Sequence, residues 1–226
     1  VQKDMIKALK ATGKPVIYVL CTGSALALNW EEANVDAILN AWYGGQEAGT
    51  AVADILFGDY NPSGRLPITF YKSVDQLPDF EDYSMKGRTY RYMTEKPLYP
   101  FGYGLSYTTY TYQNAALSAN KITKEQTVTL SFDIANTGNM DGDEVAQVYI
   151  KNPNDPNGPI KSLKAYKRVP VKAGQSEKVS IELTPKAFYS FNDQTQSFEV
   201  RPGKYQILYG SSSDDKALQS IALEIQ

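Results

Sequence analysis

Histidine is absent from the 226 residues, and cysteine occurs once, at Cys21. Without imidazole the chain cannot supply Ser-His-Asp or Cys-His catalysis, a histidine-ligated metal or imidazole acid–base chemistry. A single thiol excludes an internal disulfide and a multi-cysteine zinc site. Cys21 ends the apolar run "VIYVLC", which predicts a buried strand and an inert small hydrophobe rather than a nucleophile. No apolar run reaches the length of a membrane span, so no membrane partner is expected. An excess of positive charge is also missing: the net charge is −2, and nucleic-acid binding would need a basic face. What is present, 42% apolar and 21% charged residues, suffices to bury a core throughout one large domain or two small ones.

The hydrophobic period changes along the chain. Val1, Met5, Ile6 and Leu9 share one helical face, and Gly13 and Pro15 follow as stop signals. This helix has no capped start, so the chain is expected to begin within a domain. "PVIYVLCTG" reads as a strand of the kind buried in a parallel sheet, and a second short strand is expected around Ala37–Ala41. Ala48, Ala51, Val52, Ile55 and Leu56 recur at helical spacing, with Gly58 as the cap. "RLPITFY" is predicted as a third strand. This first part is α/β, with too few strands for a complete doubly wound sheet. From Ala115 onward the period is two: Val128, Leu130, Phe132 and Ile134 alternate, as do Val179, Ile181 and Leu183, and again Ile221, Leu223 and Ile225. "EVAQVYIK" and "GKYQILYG" add further strands. Short strands separated by turn signals predict an all-β sandwich. Between the two parts, residues 72–100 show little periodicity, and a loop of that length is usually functional.

Four stretches could carry chemistry. "YGGQEAGTA" opens a helix after a strand, but Thr50 stands where a phosphate-binding loop needs lysine and the GxGxxG spacing fails. Close backbone packing explains it better. "NTGNMDGDE" (Asn136–Glu144) gathers oxygen ligands without EF-hand spacing and reads as a turn. "DFED" (Asp79–Asp82) offers three carboxylates, the residue type used in glycoside hydrolysis, although acids in a loop are more often simply solvated. "GRTYRYM" mixes arginine with tyrosine, which can line a sugar site or pin a loop. No cofactor or metal site is expected from any of these.

The blocks "GGQEAGTAVADILFGDYNPSGRLPITF", "GRTYRYM" and "PLYPFGYGLSYTTYTY" resemble the C-terminal region of glycoside hydrolase family 3, the β-glucosidases and β-xylosidases. "IANTGNMDGDEVAQVYI" and "SLKAYKRVPVKAGQSEKVSIEL" resemble the fibronectin type III-like domain that ends many of these enzymes. The resemblance implies a partial α/β sandwich over 1–112, followed by an all-β fibronectin type III-like, immunoglobulin-like sandwich over 113–226. It implies that the aromatic crossing segment, through its tyrosines and Phe101, fills an interface where a flexible linker would use Gly and Ser. Family members are retaining enzymes with an Asp nucleophile and a Glu acid/base. Both are expected upstream, the nucleophile in a barrel domain and the acid/base in the α/β domain just before the helix that opens this chain, so no catalytic residue is assigned here. Substrate-binding candidates are Tyr83, Arg88 and Tyr90, in a loop that could wall the active site.

The expected partners are therefore the missing N-terminal barrel domain and an oligosaccharide or aryl glycoside. "QLPDFEDYSMKGRTYRYM" looks closer to the β-xylosidases than to the β-glucosidases. The resemblance also suggests a periplasmic or extracellular setting, and a chain that is structural and inactive alone. The competing reading is a standalone carbohydrate-binding or adhesion module that stacks sugars on exposed-looking tyrosines such as Tyr166, Tyr189 and Tyr205.

Overall fold

The computed structural model of the chain describes residues 1–152, 154–155 and 157–226. The α/β part opens with helix α1 (Gln2–Ala11), whose Asp4 and Lys10 sit at the ends that the helix dipole favours. Strand β1 (Ile17–Leu20) pairs in parallel with β2 (Ala37–Asn40), and helix α2 (Asn29–Asn34) lies between them in sequence. Helix α3 (Ala48–Phe57) ends on Gly58 at a left-handed φ of 82°. Before it, a side chain at Gly44 would overlap Ala48, so Gly44 serves close packing at the helix start, whereas Gly45 faces open space. A short helix α4 (Thr89–Tyr92) is embedded in the long loop.

Little of this part is covered. Ile6 is the one residue of α1 that is buried, while Met5 and Leu9 stay about half exposed at 58% and 49%. No residue of α3 is buried. The apolar faces that made both helices legible in the sequence are thus largely open, and an amphipathic helix draws most of its stability from covering such a face.

Two expectations fail here, and each has a local cause. Cys21 is exposed, not buried. β1 stops at Leu20, and among the described residues its one partner is β2, so its end lacks the flanking strands that bury a parallel sheet. "RLPITFY" is not a regular strand. Pro67 has no N–H to give, and the segment instead makes separated contacts with the crossing segment. Leu66 N–H donates to Tyr103 O at 2.8 Å, Phe70 N–H donates to Tyr99 O at 2.9 Å, and only Phe70 and Tyr99 form a bridge.

The β part is a sandwich. Its strands are β3 (Tyr110–Leu117), β4 (Lys121–Ile122), β5 (Val128–Asn136), β6 (Gly142–Lys151), β7 (Ser162–Val171), β8 (Ser176–Leu183), β9 (Tyr189–Asn192), β10 (Ser197–Val200), β11 (Gly203–Gly210) and β12 (Leu218–Ile225). One sheet runs β4-β12-β11-β6-β7, the facing sheet runs β3-β5-β8, and β9 and β10 form a separate hairpin. Val128, Leu130, Phe132 and Ile134 of β5 point into the shared core, each at most 1% exposed, and Ile207 and Leu223 meet them from the other sheet. Phe132 stacks on Tyr209 at 5.2 Å between ring centroids. The period of two therefore becomes a single dry layer between sheets.

Tyr205 departs from the expected exposed platform: it is 1% exposed, in the core, and its hydroxyl donates to Arg201 O at 2.7 Å. Tyr166 and Tyr189 do reach solvent, at 71% and 41%. The Asn136–Glu144 stretch connects β5 to β6, held by Asn136, which donates to Met140 O at 2.9 Å and Val171 O at 3.0 Å.

Candidate functional site

The long loop is organised by its own side chains. Asp79 and Asp82 each accept a backbone N–H two residues on, from Glu81 at 3.0 Å and Ser84 at 2.8 Å, the local turns typical of aspartate. Those bonds to Ser84, with the nearby Arg88 charge, hold the Asp82 carboxyl below the usual carboxylate range. Arg88 donates to the carbonyls of Ser84 at 3.0 Å and Asp82 at 2.5 Å. Its guanidinium is thereby turned into the loop. Phe80 and Tyr83 project outward, 93% and 90% exposed. Two large aromatic residues on one loop tip form an apolar surface suited to a flat ligand or a neighbouring domain.

Tyr90 faces the other way. Its ring stacks on Phe101 at 4.5 Å and meets Tyr149 edge-on at 5.7 Å. Its hydroxyl accepts the Leu163 N–H at 3.0 Å. Tyr90 thus ties the loop to the β-sandwich through the crossing segment. Thr69 and Tyr71 fix the same helix start by accepting the N–H groups of Tyr90 and Thr89.

Three further groups fasten the two parts together. Arg65 and Glu144 form an ion pair at 2.8 Å with side chains only 8% and 2% exposed, and the Tyr112 hydroxyl donates to the second Glu144 oxygen at 2.8 Å. Asn61 accepts from Ser106 and from the Tyr107 N–H while donating to Asp141 O. Gln147, buried in β6, donates to Gly102 O and Ser211 O and accepts from the Tyr149 hydroxyl. Arg65 and Gln147 gave no signal in the sequence beyond being polar, and Glu144 stood out only as the end of a stretch read as a turn. Only their burial marks them.

Burial pushes the Tyr112 phenol above its ordinary range, with Glu144 adding to the effect, and it raises Tyr99 to about 12. A pKa raised on folding contributes stability that is complete below the unfolded value near 10 and is lost as pH rises through the folded value. Denaturation midpoints are therefore expected to hold up to about pH 10 and to fall between about pH 10 and 12, in step with tyrosinate absorbance. A midpoint that stays flat while all tyrosines ionise would count against this account of the junction.

With this geometry in view, comparison with known proteins is specific. Residues 1–107 match the glycosyl hydrolase family 3 C-terminal domain, and residues 144–213 match the fibronectin type III-like domain. A xylan 1,4-beta-xylosidase of Xylanibacter ruminicola is 51% identical over 225 residues, which is 100% of this chain and 26% of that protein. A periplasmic beta-glucosidase of Salmonella typhimurium is 42% identical over 94% of this chain and 29% of its own length. Among solved structures, a β-glucosidase from Erythrobacter marinus has a TM-score of 0.88 at 35% identity, over 100% of this chain and 30% of the other. A β-glucosidase from Listeria innocua in complex with isofagomine has a TM-score of 0.86 at 31% identity, over 99% of this chain and 33% of the other. The chain spans only about a quarter to a third of the length of these proteins. Two domain matches in sequence order, together with relatives aligned from end to end of the chain, place it in glycosyl hydrolase family 3, as that family's C-terminal domain with the fibronectin type III-like domain that follows.

Proposed function

We propose that this chain is the C-terminal portion of a longer retaining β-glycosidase that removes terminal β-linked sugars, with β-xylosides preferred over β-glucosides. The observation that carries this reading is the 51% identity to a xylan 1,4-beta-xylosidase across the whole chain, which nevertheless makes up only 26% of that relative. The nucleophilic Asp and the acid/base Glu then belong to the upstream part, and residues 1–112 and 113–226 are two structural units that support it. With the boundary set after Tyr112, the crossing segment ends in the first residues of β3. The uncovered apolar faces of α1 and α3 suit burial against that upstream part. A periplasmic or extracellular setting is supported by the periplasmic Salmonella relative.

In the assembled enzyme the 79–92 loop lines the approach to the sugar. Tyr83 offers an exposed ring to the substrate, while Arg88 and Tyr90 hold the loop from within and from the sandwich side. Removing the ring in Tyr83→Ala is expected to raise KM for xylo-oligosaccharides by up to about tenfold with kcat nearly unchanged, the signature of lost uniform binding. An unchanged KM would remove Tyr83 from the binding surface.

The deciding experiment assays aryl β-xyloside and aryl β-glucoside hydrolysis by this chain and by the polypeptide extended upstream through a barrel domain. The expected result is no turnover by the chain alone, and turnover by the longer protein with the higher kcat/KM on the xyloside. Hydrolysis by the 226-residue chain itself would overturn the assignment of catalysis upstream. A higher kcat/KM on the glucoside would reverse the sugar preference.

A further inference from the structure

A cleft of about 460 Å³ lies between α4, the start of β7 and the β9–β10 hairpin, away from the exposed tip of the 79–92 loop. Arg91 and Tyr92 form one wall, and Arg91 sits over the Tyr92 ring, 5.5 Å from its centroid. Ser162 and Lys164 of β7 lie at the floor and mouth. The opposite wall carries Phe191 and Phe198, paired edge-to-face across the hairpin at 5.2 Å and exposed to solvent at 42% and 66%.

The polar groups of this cleft are not balanced. It is lined by three cations, Arg91, Lys164 and Arg201, against two carboxylates, Asp155 and Asp193. Arg201 is already engaged, at 3.6 Å from both Asp155 and Glu199, and it donates to Phe191 O at 3.0 Å. Among the described residues, neither Arg91 nor Lys164 has an ion-pair partner. The Arg91 Nε is buried with no hydrogen-bond acceptor, and so is the hydroxyl of Ser162, a residue only 7% exposed. Partial burial, with the Arg91 charge nearby, lowers the Lys164 pKa. Two cations without counter-charges on one concave site favour an anionic occupant. Flat aromatic faces on the far wall favour a ring with an apolar side. A phosphate or sulfate would satisfy the cations and leave those faces idle.

We infer that this cleft binds an acidic oligosaccharide, with the carboxylate of a uronic acid residue set between Arg91 and Lys164 and a neighbouring sugar ring lying on Phe198, the more exposed ring of the edge-to-face pair. The carboxylate is the group that arginine recognises by paired N–H donors. Such a site would hold decorated polysaccharide beside the enzyme without taking part in cleavage.

Calorimetric titration of the full chain tests the inference, using xylotriose carrying a glucuronic acid branch and its neutral counterpart, xylotetraose. The acidic sugar is expected to bind at least about tenfold more tightly, the scale of one charge-assisted hydrogen bond. Lys164→Gln, a change at the mouth of the cleft that should leave the melting midpoint in place, is expected to remove most of that preference. Phe198→Ala is expected to weaken both sugars. Equal binding of the two sugars, no binding of either, or full acidic preference in the folded Lys164→Gln variant would each overturn the inference. Free glucuronate or sulfate binding as tightly as the branched oligosaccharide would reduce the cleft to a simple anion site and overturn it as well. None of these readouts depends on turnover, so their outcome is separate from the hydrolase reading.

Discussion

Glu144→Gln is expected to lower the unfolding free energy by about 3–5 kcal/mol, because it leaves the buried Arg65 guanidinium without its counter-charge. Glu144 also accepts the Tyr112 hydroxyl, and the one oxygen that Gln keeps can accept from Tyr112 or from Arg65 but no longer serves both as the two carboxylate oxygens do. The cost comes chiefly from the charge left behind rather than from the worth of the pair, since removing both ions from a buried site is often close to neutral. The double variant Arg65→Met with Glu144→Gln is therefore expected to recover more than half of the loss. Recovery will not be complete, because Arg65 also donates to Ser63 O and Gly64 O and so shapes the 61–65 turn. Denaturant unfolding of the two single variants and the double variant measures the coupling directly. A double variant as unstable as Glu144→Gln would mean that Arg65 acts through packing and the turn, not through charge.

Gly102→Ala is the second large effect. Gly102 takes a left-handed φ of 78°, and a Cβ placed there would overlap the carboxamide of Gln147. The conformation alone costs a side chain about 1–2 kcal/mol. Displacing Gln147 would in addition leave Gly102 O, Ser211 O and the Tyr149 hydroxyl without partners in a buried region, at about 1–3 kcal/mol for an unsatisfied group. Gly87→Ala supplies the control. Gly87 has φ 72° with nothing within 4 Å of its missing Cβ, so it reports backbone strain by itself. The expected order is a loss at Gly102 at least twice that at Gly87, read as midpoints in the same denaturant. Equal losses would mean that Gln147 can move aside and that the junction is not locked at this point.

The sandwich was legible because several of its strands carry a strict alternation, and β5, β8 and β12 sit where Val128, Val179 and Ile221 said they would. β7 was harder to read. It is an edge strand with Pro170 in it, and a register shift interrupts its pairing with β6. The β9–β10 hairpin has four-residue strands with aromatic side chains in solvent, so no apolar alternation announces it. The burial of Tyr205 was readable from parity, since it stands two and four residues from the buried Ile207 and Tyr209 on the same strand. The α/β part misled for a different reason. Continuous apolar runs predict burial by neighbours, and among the described residues β1 has one neighbour. In the candidate loop, the sequence gathered arginine and tyrosine without saying which way each turns. Tyr83 faces out, Arg88 bends back onto carbonyls, and Tyr90 reaches Leu163, which is 73 residues away along the chain. Long-range pairs such as Arg65 with Glu144 depend on the fold and leave no local pattern.

The parallel pair of β1 and β2 has one more consequence. Each strand spends one flank on the other, and among the described residues the opposite flanks meet no further strand. Unpaired amides and carbonyls in a row are a template for any other strand that drifts past. The apparent molar mass of the isolated chain, from light scattering, should therefore grow with concentration. A proline introduced at Tyr18 or a lysine at Ile17 should suppress that self-association, while equivalent changes on the sandwich surface leave it untouched.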